Sequence, residues 1–328
     1  MHMTVAEQNS TVVEEPSALR RCLVCGRGHD VTEPLLQAPD RFHGGTEVYG
    51  LVRCSSCSMV WLDNAPKPED MWQHYGQDYD RKIAAAGESS PGRWRDRRET
   101  LSLHKQGGAI LDLGCSSGSF LETLKGGNWD LYGVEMSNES ANRALARCGA
   151  KVFVGDILDA PFKPASFDAI TCFHVFEHLY QPREVLAKVS EWLKPGGIFY
   201  ALMPNIDSAG MRVFRTYWYP LELPRHLYHF SPKSLSQLAA EVGLEQVSLV
   251  TGREVFIEKS VYYMVDRALS KVGIKRLPLA KAKEASFPRK VIRKMYRLTL
   301  QPVLTGIIAL AGDGESIHAV FKKPGRNR

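Results

Sequence analysis

Apolar residues in this chain come in short runs, and runs of two kinds alternate. Ala109 to Leu113 (AILDL) is almost continuously apolar and ends in a glycine-rich turn, Gly114 to Gly118. A run that is apolar on both faces reads as a buried parallel strand, not a half-exposed one. The residues after the turn favour a helix. The alternation then repeats. Residues 131–135 (LYGVE), 151–156 (KVFVGD), 167–173 (FDAITCF) and 195–202 (PGGIFYAL) read as four further strands. Residues 182–193 have amphipathic helical spacing and stop at Lys194-Pro195-Gly196-Gly197, which reads as the turn before the fifth strand. Residues 245–250 and 315–323 complete a set of seven strands. Strands alternating with helices predict an α/β fold with a mainly parallel sheet, whose ligands lie at the carboxyl edge.

The turn after the first strand carries chemistry. Gly114 and Gly118 allow a tight turn and a close backbone approach to a ligand. Asp112 lies just inside it. Glu135, 21 residues after Gly114, stands at the distance expected of a carboxylate holding ribose hydroxyls. The residues alone also allow a turn that binds nothing, or a dinucleotide site whose glycine triad is broken by Ser116.

The succession of motifs resembles the class I S-adenosylmethionine (SAM)-dependent methyltransferases over roughly residues 105–250 and the last strand. LDLGCSSGSF, VEMS, GDILDAPF, FDAITCFHVFEHL and LKPGG look like successive motifs of that family. The resemblance implies a Rossmann-like seven-stranded methyltransferase sheet that binds SAM. It assigns Gly114 and Gly118 to the methionine end of SAM, Glu135 to the ribose, and Asp156 and Ile157 to the adenine. Asp112, Cys115, Met136 and Phe173 flank these positions and complete the expected cofactor set. His174 is placed near the reacting methyl. The family has glycine where this chain has Ser116, which predicts altered packing of the loop.

Four cysteines precede the core. Cys22-x2-Cys25 and Cys54-x2-Cys57 are separated by 28 residues. Two such knuckles supply four thiolates for a tetrahedral structural zinc. The alternatives are two disulfides or four free thiols. Cys115, Cys148 and Cys172 do not share this spacing, and Cys115 and Cys172 read as small space-fillers.

With 328 residues, a net charge of +6 and 44% hydrophobic residues, the chain is long enough for a core with additions. No secretory signal and no run of 18 apolar residues is visible, so a cytoplasmic location is expected. The expected organisation is a flexible tail (1–18), a zinc ribbon (19–62), a helical lid or linker (63–107), the SAM-binding core (108–252), a basic helical insertion (253–312) and the last strand with a tail (313–328). In the linker, Met71, Trp72, Tyr75 and Tyr79 recur at helix-like intervals, and 93–105 reads as a basic helix. Tyr75 and Tyr79 are candidate lid residues that reach the substrate. From Arg253 to Arg297 there are 13 basic and 4 acidic residues. This stretch reads as a helical cap, as a helix lying on an anionic membrane surface, or as a site for a phosphate-bearing substrate or RNA. RNA is the least favoured, for lack of a recognisable binding module. Whether the protein is a monomer or a homodimer is left open.

Residues 203–231 form a long aromatic segment over the carboxyl edge, where an acceptor should lie. Its PRHLYHFS resembles the segment of bacterial deoxysugar methyltransferases in which a histidine is the catalytic base. Those enzymes also carry a four-cysteine ribbon. The resemblance places His226 in the basic role, with His174 second. His178, Arg225, Tyr228 and His229 are candidate substrate contacts, and Glu177 is expected to cap backbone amides. Arg225 stands where those enzymes have glutamate, and their large C-terminal domain is not found after residue 250. The expected activity is O-methylation of a small-molecule, sugar or glycolipid acceptor by direct SN2 transfer, with a neutral imidazole taking the hydroxyl proton. An RNA or protein methyltransferase and a non-enzymatic SAM scaffold are the alternatives. The acid cluster that a magnesium-dependent enzyme needs is not apparent in the sequence.

Overall fold

The computed structural model describes residues 21–42, 45–75, 91–252, 256–271 and 314–325, together with 291, 294–295, 298–299, 302–303 and 306. The predicted tail 1–18, Tyr79 and much of 253–312 lie outside these residues.

Seven strands form the central sheet. They are β4 (Gly107–Leu113), β5 (Asn128–Glu135), β6 (Lys151–Val154), β7 (Phe167–Phe173), β8 (Leu193–Pro204), β10 (Glu245–Gly252) and β11 (Ser316–Lys322). Their order is β10-β11-β8-β7-β4-β5-β6. All neighbours are parallel except β11, which runs antiparallel to both β8 and β10. Each strand corresponds to one anticipated from the apolar runs. The central strands are buried because they carry no polar face: Ile110, Leu111, Leu113, Ala169, Ile170 and Cys172 are all 0% exposed. The two buried polar residues among them, Asp112 and Thr171, satisfy one another, with Thr171 Oγ1 donating to Asp112 Oδ1 at 2.7 Å. The chain winds from β4 outward in both directions, so the crevice for a ligand opens where β4 and β7 end.

Lys194 to Gly197 depart from the expected turn. They already belong to β8, with Leu193 opposite Phe167 across a bulge. The stretch is held extended because the chain after β11 pairs with it: Gly196 N donates to Lys323 O and Lys323 N to Gly197 O. Gly196 adopts φ +76°, which accommodates the irregularity.

The helices are α1 (Pro91–Ser102), α2 (Ser119–Glu122), α3 (Asn138–Cys148), α4 (Pro182–Trp192), α5 (Ala209–Phe214), α6 (Pro232–Glu241) and α7 (Ile257–Lys271). Their ends follow local chemistry. Ser137 caps α3, which stops at Gly149 in the left-handed region. Ser231 and Ser234 cap each other at the start of α6, with Pro232 in its first turn.

A second, antiparallel sheet is built from β1 (Thr32–Pro39), β2 (Val48–Cys54), β3 (Val60–Leu62) and the two-residue β9 (Tyr228–His229), in the order β1-β2-β3-β9. The fourth strand comes from the aromatic segment 203–231, which no sequence pattern placed here. Val60 faces His229 and Trp61 faces Tyr228. Tyr49, Leu51, Met59 and Trp61 belong to the same buried cluster as Leu111 and Leu113, so the N-terminal sheet and the core share one apolar interior.

Helix α7 packs as a cap. Ile257, Val261 and Tyr263 are buried, and Ser260 Oγ accepts from Tyr219 N at 2.9 Å. No helix among the described residues is long and apolar enough to cross a membrane.

Candidate active site

The cofactor side is assembled from the ends of β4 and β5. Gly114, Ser116 and Gly118 all take positive φ, at 69°, 48° and 74°. The glycines are required by protein as well as by any ligand. A Cβ at Gly114 would come within 2.4 Å of Val175, and one at Gly118 within 2.9 Å of Ala144 in α3. Ser116 occupies a left-handed position that costs a non-glycine residue roughly 1 kcal/mol. Its backbone N–H is held by Glu135 Oε2 at 2.9 Å, while Glu135 Oε1 accepts from Ser137 N at 3.0 Å. Glu135 therefore ties the loop to the end of β5. Its oxygens keep further lone pairs for hydroxyl donors.

Asp112 is 4% exposed. Desolvation pushes its carboxyl up to about 7, against the hydrogen bond from Thr171 and the nearby Arg97. Cys115 is buried, and its sulfur fills the space over Gly133. Phe173 stacks edge-on with Phe120 and Tyr200 below the loop. Met136 is 70% exposed beside Glu135. Asp156 caps the short turn Ile157–Asp159 through Leu158 N, and Ile157 is buried.

One residue of this side escaped the sequence reading. Arg97 of α1 is 3% exposed, with its guanidinium 4.7 Å from the Trp94 ring and 4.8 Å from the Phe173 ring. In the sequence it is one arginine in a basic run, and nothing there distinguishes it from its solvated neighbours.

The acceptor side is assembled from distant segments. His174 follows β7 directly in the left-handed region, at φ 56°. Its side chain is 29% exposed, and Nδ1 lies 3.4 Å from Glu177 Oε1. Glu177 does not cap a helix. The turn Phe176–His178 is a single 3-10 turn, and it directs the carboxylate inward to 1% exposure. Desolvation raises the Glu177 carboxyl, but the imidazoles of His174, His226 and His178 outweigh it and hold the group below the usual range.

His226 is fixed by the backbone around it. Leu227 N donates to Glu177 O, and Leu62 N donates to Leu227 O, both at 2.8 Å. His226 Nδ1 lies 2.8 Å from Pro220 O, and His178 Nδ1 lies 3.0 Å from Arg225 O. A carbonyl only accepts, so both imidazoles carry their proton on Nδ1 and a lone pair on Nε2. Burial and mutual repulsion lower His178 to about 4, and burial lowers His226 and takes His229 to about 3. Near pH 7 His178 and His229 are neutral.

Arg225 is 2% exposed. It pairs with Glu222 at 2.7 Å and lies 4.3 Å over the Phe42 ring. In this geometry it faces a protein carboxylate, not an open acceptor pocket. Glu222, four residues before His226, lies 3.7 Å from its Nε2 and supplies a carboxylate on that side. Desolvation opposes its ionisation, yet Arg225 and His226 hold it down at about 2. Tyr75 OH lies 3.4 Å from His178 Nδ1, so the linker does reach this cluster. Tyr228 and His229 are buried in β9. A recess lined by Arg41, Phe42, Trp218, Tyr219, Glu222 and Tyr263 shares Glu222 with the cluster.

The four N-terminal cysteines converge. Donor sulfurs of Cys22, Cys25, Cys54 and Cys57 lie within 4.8 Å of one another, with Cys22–Cys57 at 3.3 Å and Cys25–Cys54 at 3.6 Å. None is in a disulfide. A tetrahedral zinc with bonds of about 2.3 Å would set its sulfurs about 3.8 Å apart. Desolvation raises the Cys54 thiol, but the amides of Cys57 and Ser56 bring it to about 7.

Residues 86–249 match the family described as a methyltransferase domain. The ubiquinone biosynthesis O-methyltransferase of Thiobacillus denitrificans is 30% identical over 169 residues, which is 48% of this chain and 71% of that protein. Its counterpart in Paraburkholderia phymatum is 29% identical over 153 residues, covering 43% and 66%. Phosphoethanolamine N-methyltransferase 2 of Haemonchus contortus, solved with S-adenosyl-L-methionine, superposes with a TM-score of 0.53 at 17% identity, covering 81% of this chain and 63% of that one. A complex of the Haloferax volcanii Trm112 methyltransferase activator with a methyltransferase gives 0.50 at 19% identity, covering 77% and 99%. The structural likenesses carry the fold alone. With the family match and the first relative, they close the question that the loop motif opened: the chain belongs to the class I SAM-dependent methyltransferases and is an enzyme of that kind.

Proposed function

We propose that this enzyme methylates a hydroxyl of a small-molecule, sugar or lipid-linked acceptor, and that His174 receives the hydroxyl proton. The observation that carries the reading is the His174–Glu177 pair at the end of β7. With Nδ1 facing a buried carboxylate oxygen 3.4 Å away, the imidazole would keep its basic lone pair on Nε2. His226 leads on sequence resemblance, but exposure reverses the order. His174 presents 29% of its side chain at the carboxyl edge, whereas His226 presents 6%. The two curated relatives are O-methyltransferases by name, which supports oxygen as the methylated atom.

The residues fit the family's cofactor. Glu135 would take the ribose hydroxyls, and Asp112 is a buried carboxyl that a cation would draw into its ionised form. Arg97 is set to meet the carboxylate of the methionine end. When bound, SAM supplies a methyl already activated by its sulfonium. The chain therefore has to align the acceptor and remove one proton. The four converging cysteines fit a structural zinc, and the site they make is closed by protein ligands. We place the protein in the cytoplasm, with any contact between its basic insertion and an anionic membrane left to vesicle binding.

Two measurements test the reading. Labelled SAM incubated with a cell extract and then fractionated should label the small-molecule or lipid pool. Label confined to RNA or protein would overturn the acceptor class. With the acceptor in hand, His174→Ala should lower turnover by about 10²-fold or more, with SAM affinity within about twofold. Near-normal turnover would return the basic role to His226 or remove it.

A further inference from the structure

We propose that Glu177, His178 and His226 form a binding site for a divalent first-row metal ion, with one carboxylate oxygen and Nε2 of both imidazoles as ligands. One donor atom from each of the three lies within 4.8 Å of the others. The residues come from two segments that meet only in the fold, the turn after β7 and the segment before β9.

Three features point to a cation. The first is a mismatch of hydrogen-bonding roles. Both imidazoles have given their Nδ1–H to a backbone carbonyl, so each offers only a lone pair at Nε2. Glu177 is an acceptor as well. Both of its oxygens are buried with no hydrogen-bond partner among the described residues, and His174 Nδ1 stands 3.4 Å from Oε1. Acceptors that face one another cannot be satisfied by a hydrogen bond between them. The remaining neighbours do not mend this. Glu222 near His226 Nε2 is another acceptor, and Arg225 is engaged with it. Tyr75 OH approaches the Nδ1 side of His178, not the vacant lone pair.

The second feature is charge. Glu177 is a buried carboxylate, and the buried Arg225 is paired with Glu222, whose side chain is 14% exposed. Neither Glu177 oxygen has a hydrogen-bond partner among the described residues to offset its charge. Burying such a charge is costly unless a cation joins it. The third feature is orientation. Imidazoles that ligate metals characteristically donate the other ring N–H to a carbonyl or carboxylate, which fixes both tautomer and direction. Both imidazoles here do so.

Two histidines and one carboxylate suit zinc, manganese or iron(II), and three protein ligands leave positions open for water or an acceptor oxygen. Only one consequence rests on the methyl-transfer reading: an acceptor oxygen drawn to the ion would lie on the side of the cluster where His174 takes the proton.

Zinc bound to the full chain after gel filtration from excess Zn2+ tests the site. The wild type should hold one equivalent more than Glu177→Gln and one more than His226→Gln. Added Zn2+ should raise the melting temperature of the wild type by more than that of Glu177→Gln, the conservative variant. Equal zinc content and equal melting shifts in the wild type and both cluster variants would overturn the proposal. Neither readout needs methyl transfer. A chain that transfers methyl without the extra equivalent refutes the metal site alone. A chain that binds the ion and methylates no hydroxyl refutes the acceptor reading alone.

Discussion

The two halves of the active face are built in opposite ways. The centre of the cofactor side is local: Asp112, the turn 114–118 and Glu135 lie within one β-α-β passage, and Glu135 closes it by holding Ser116 and Ser137. The acceptor side is a convergence. Tyr75, the turn 174–178, the stretch 220–229 and strand β3 supply it from four parts of the chain. The first is therefore robust to change elsewhere, and the second depends on every element that frames it. The N-terminal sheet is one of those elements, because β9 is its edge strand.

The largest effect that tests this contrast comes from the cysteines. Structural zinc sites supply folding free energy of about 10–16 kcal/mol in small zinc domains, so losing one thiolate should loosen the N-terminal sheet. Cys54→Ser should then abolish methyl transfer through β9 and the segment before it, while calorimetric SAM affinity stays within about threefold. Full activity in a zinc-free Cys54→Ser protein would show that the acceptor side does not lean on that sheet.

Glu135→Ala addresses the other half. It removes two charge-assisted bonds within the loop and the acceptors for the ribose, and should weaken SAM binding by about 1.5–3 kcal/mol. The binding of zinc should be unchanged. An unaltered SAM affinity would break the assignment of Glu135.

The smallest effect belongs to Ser116. Its φ of 48° suits glycine, so Ser116→Gly should stabilise the folded protein by roughly 1 kcal/mol or less. A lower melting temperature in that variant would mean that the serine side chain makes a contact outweighing the strain.

The legibility of each half follows from the same contrast. All seven core strands could be read because each is a short apolar run bounded by its own punctuation, and the cysteine cluster because two x2 spacings announce it. Lys194 to Gly197 misled because a Pro-Gly-Gly stop is a local signal, whereas the pairing with Lys323 that extends it is not. Strand β9 was invisible for the same reason. Two residues carry no periodicity, and their partner Val60–Trp61 lies more than 160 residues earlier. Glu177 looked like a cap because a glutamate near a helix start often is one. Its inward direction is set by the one-turn geometry of 176–178 and by Leu227 binding its carbonyl.

The place of β11 has a consequence for how the chain is made. This strand inserts between β8 and β10, antiparallel to each, and so joins two strands synthesised long before it. Until residue 322 has emerged, β8 presents an open edge of unpaired amides and carbonyls in an otherwise formed parallel sheet. Such an edge is a template for pairing with other chains. The nascent protein therefore passes through a stage in which its cofactor half is complete but its sheet is unsealed. Closure waits on a contact of high sequence separation, which is slow to form.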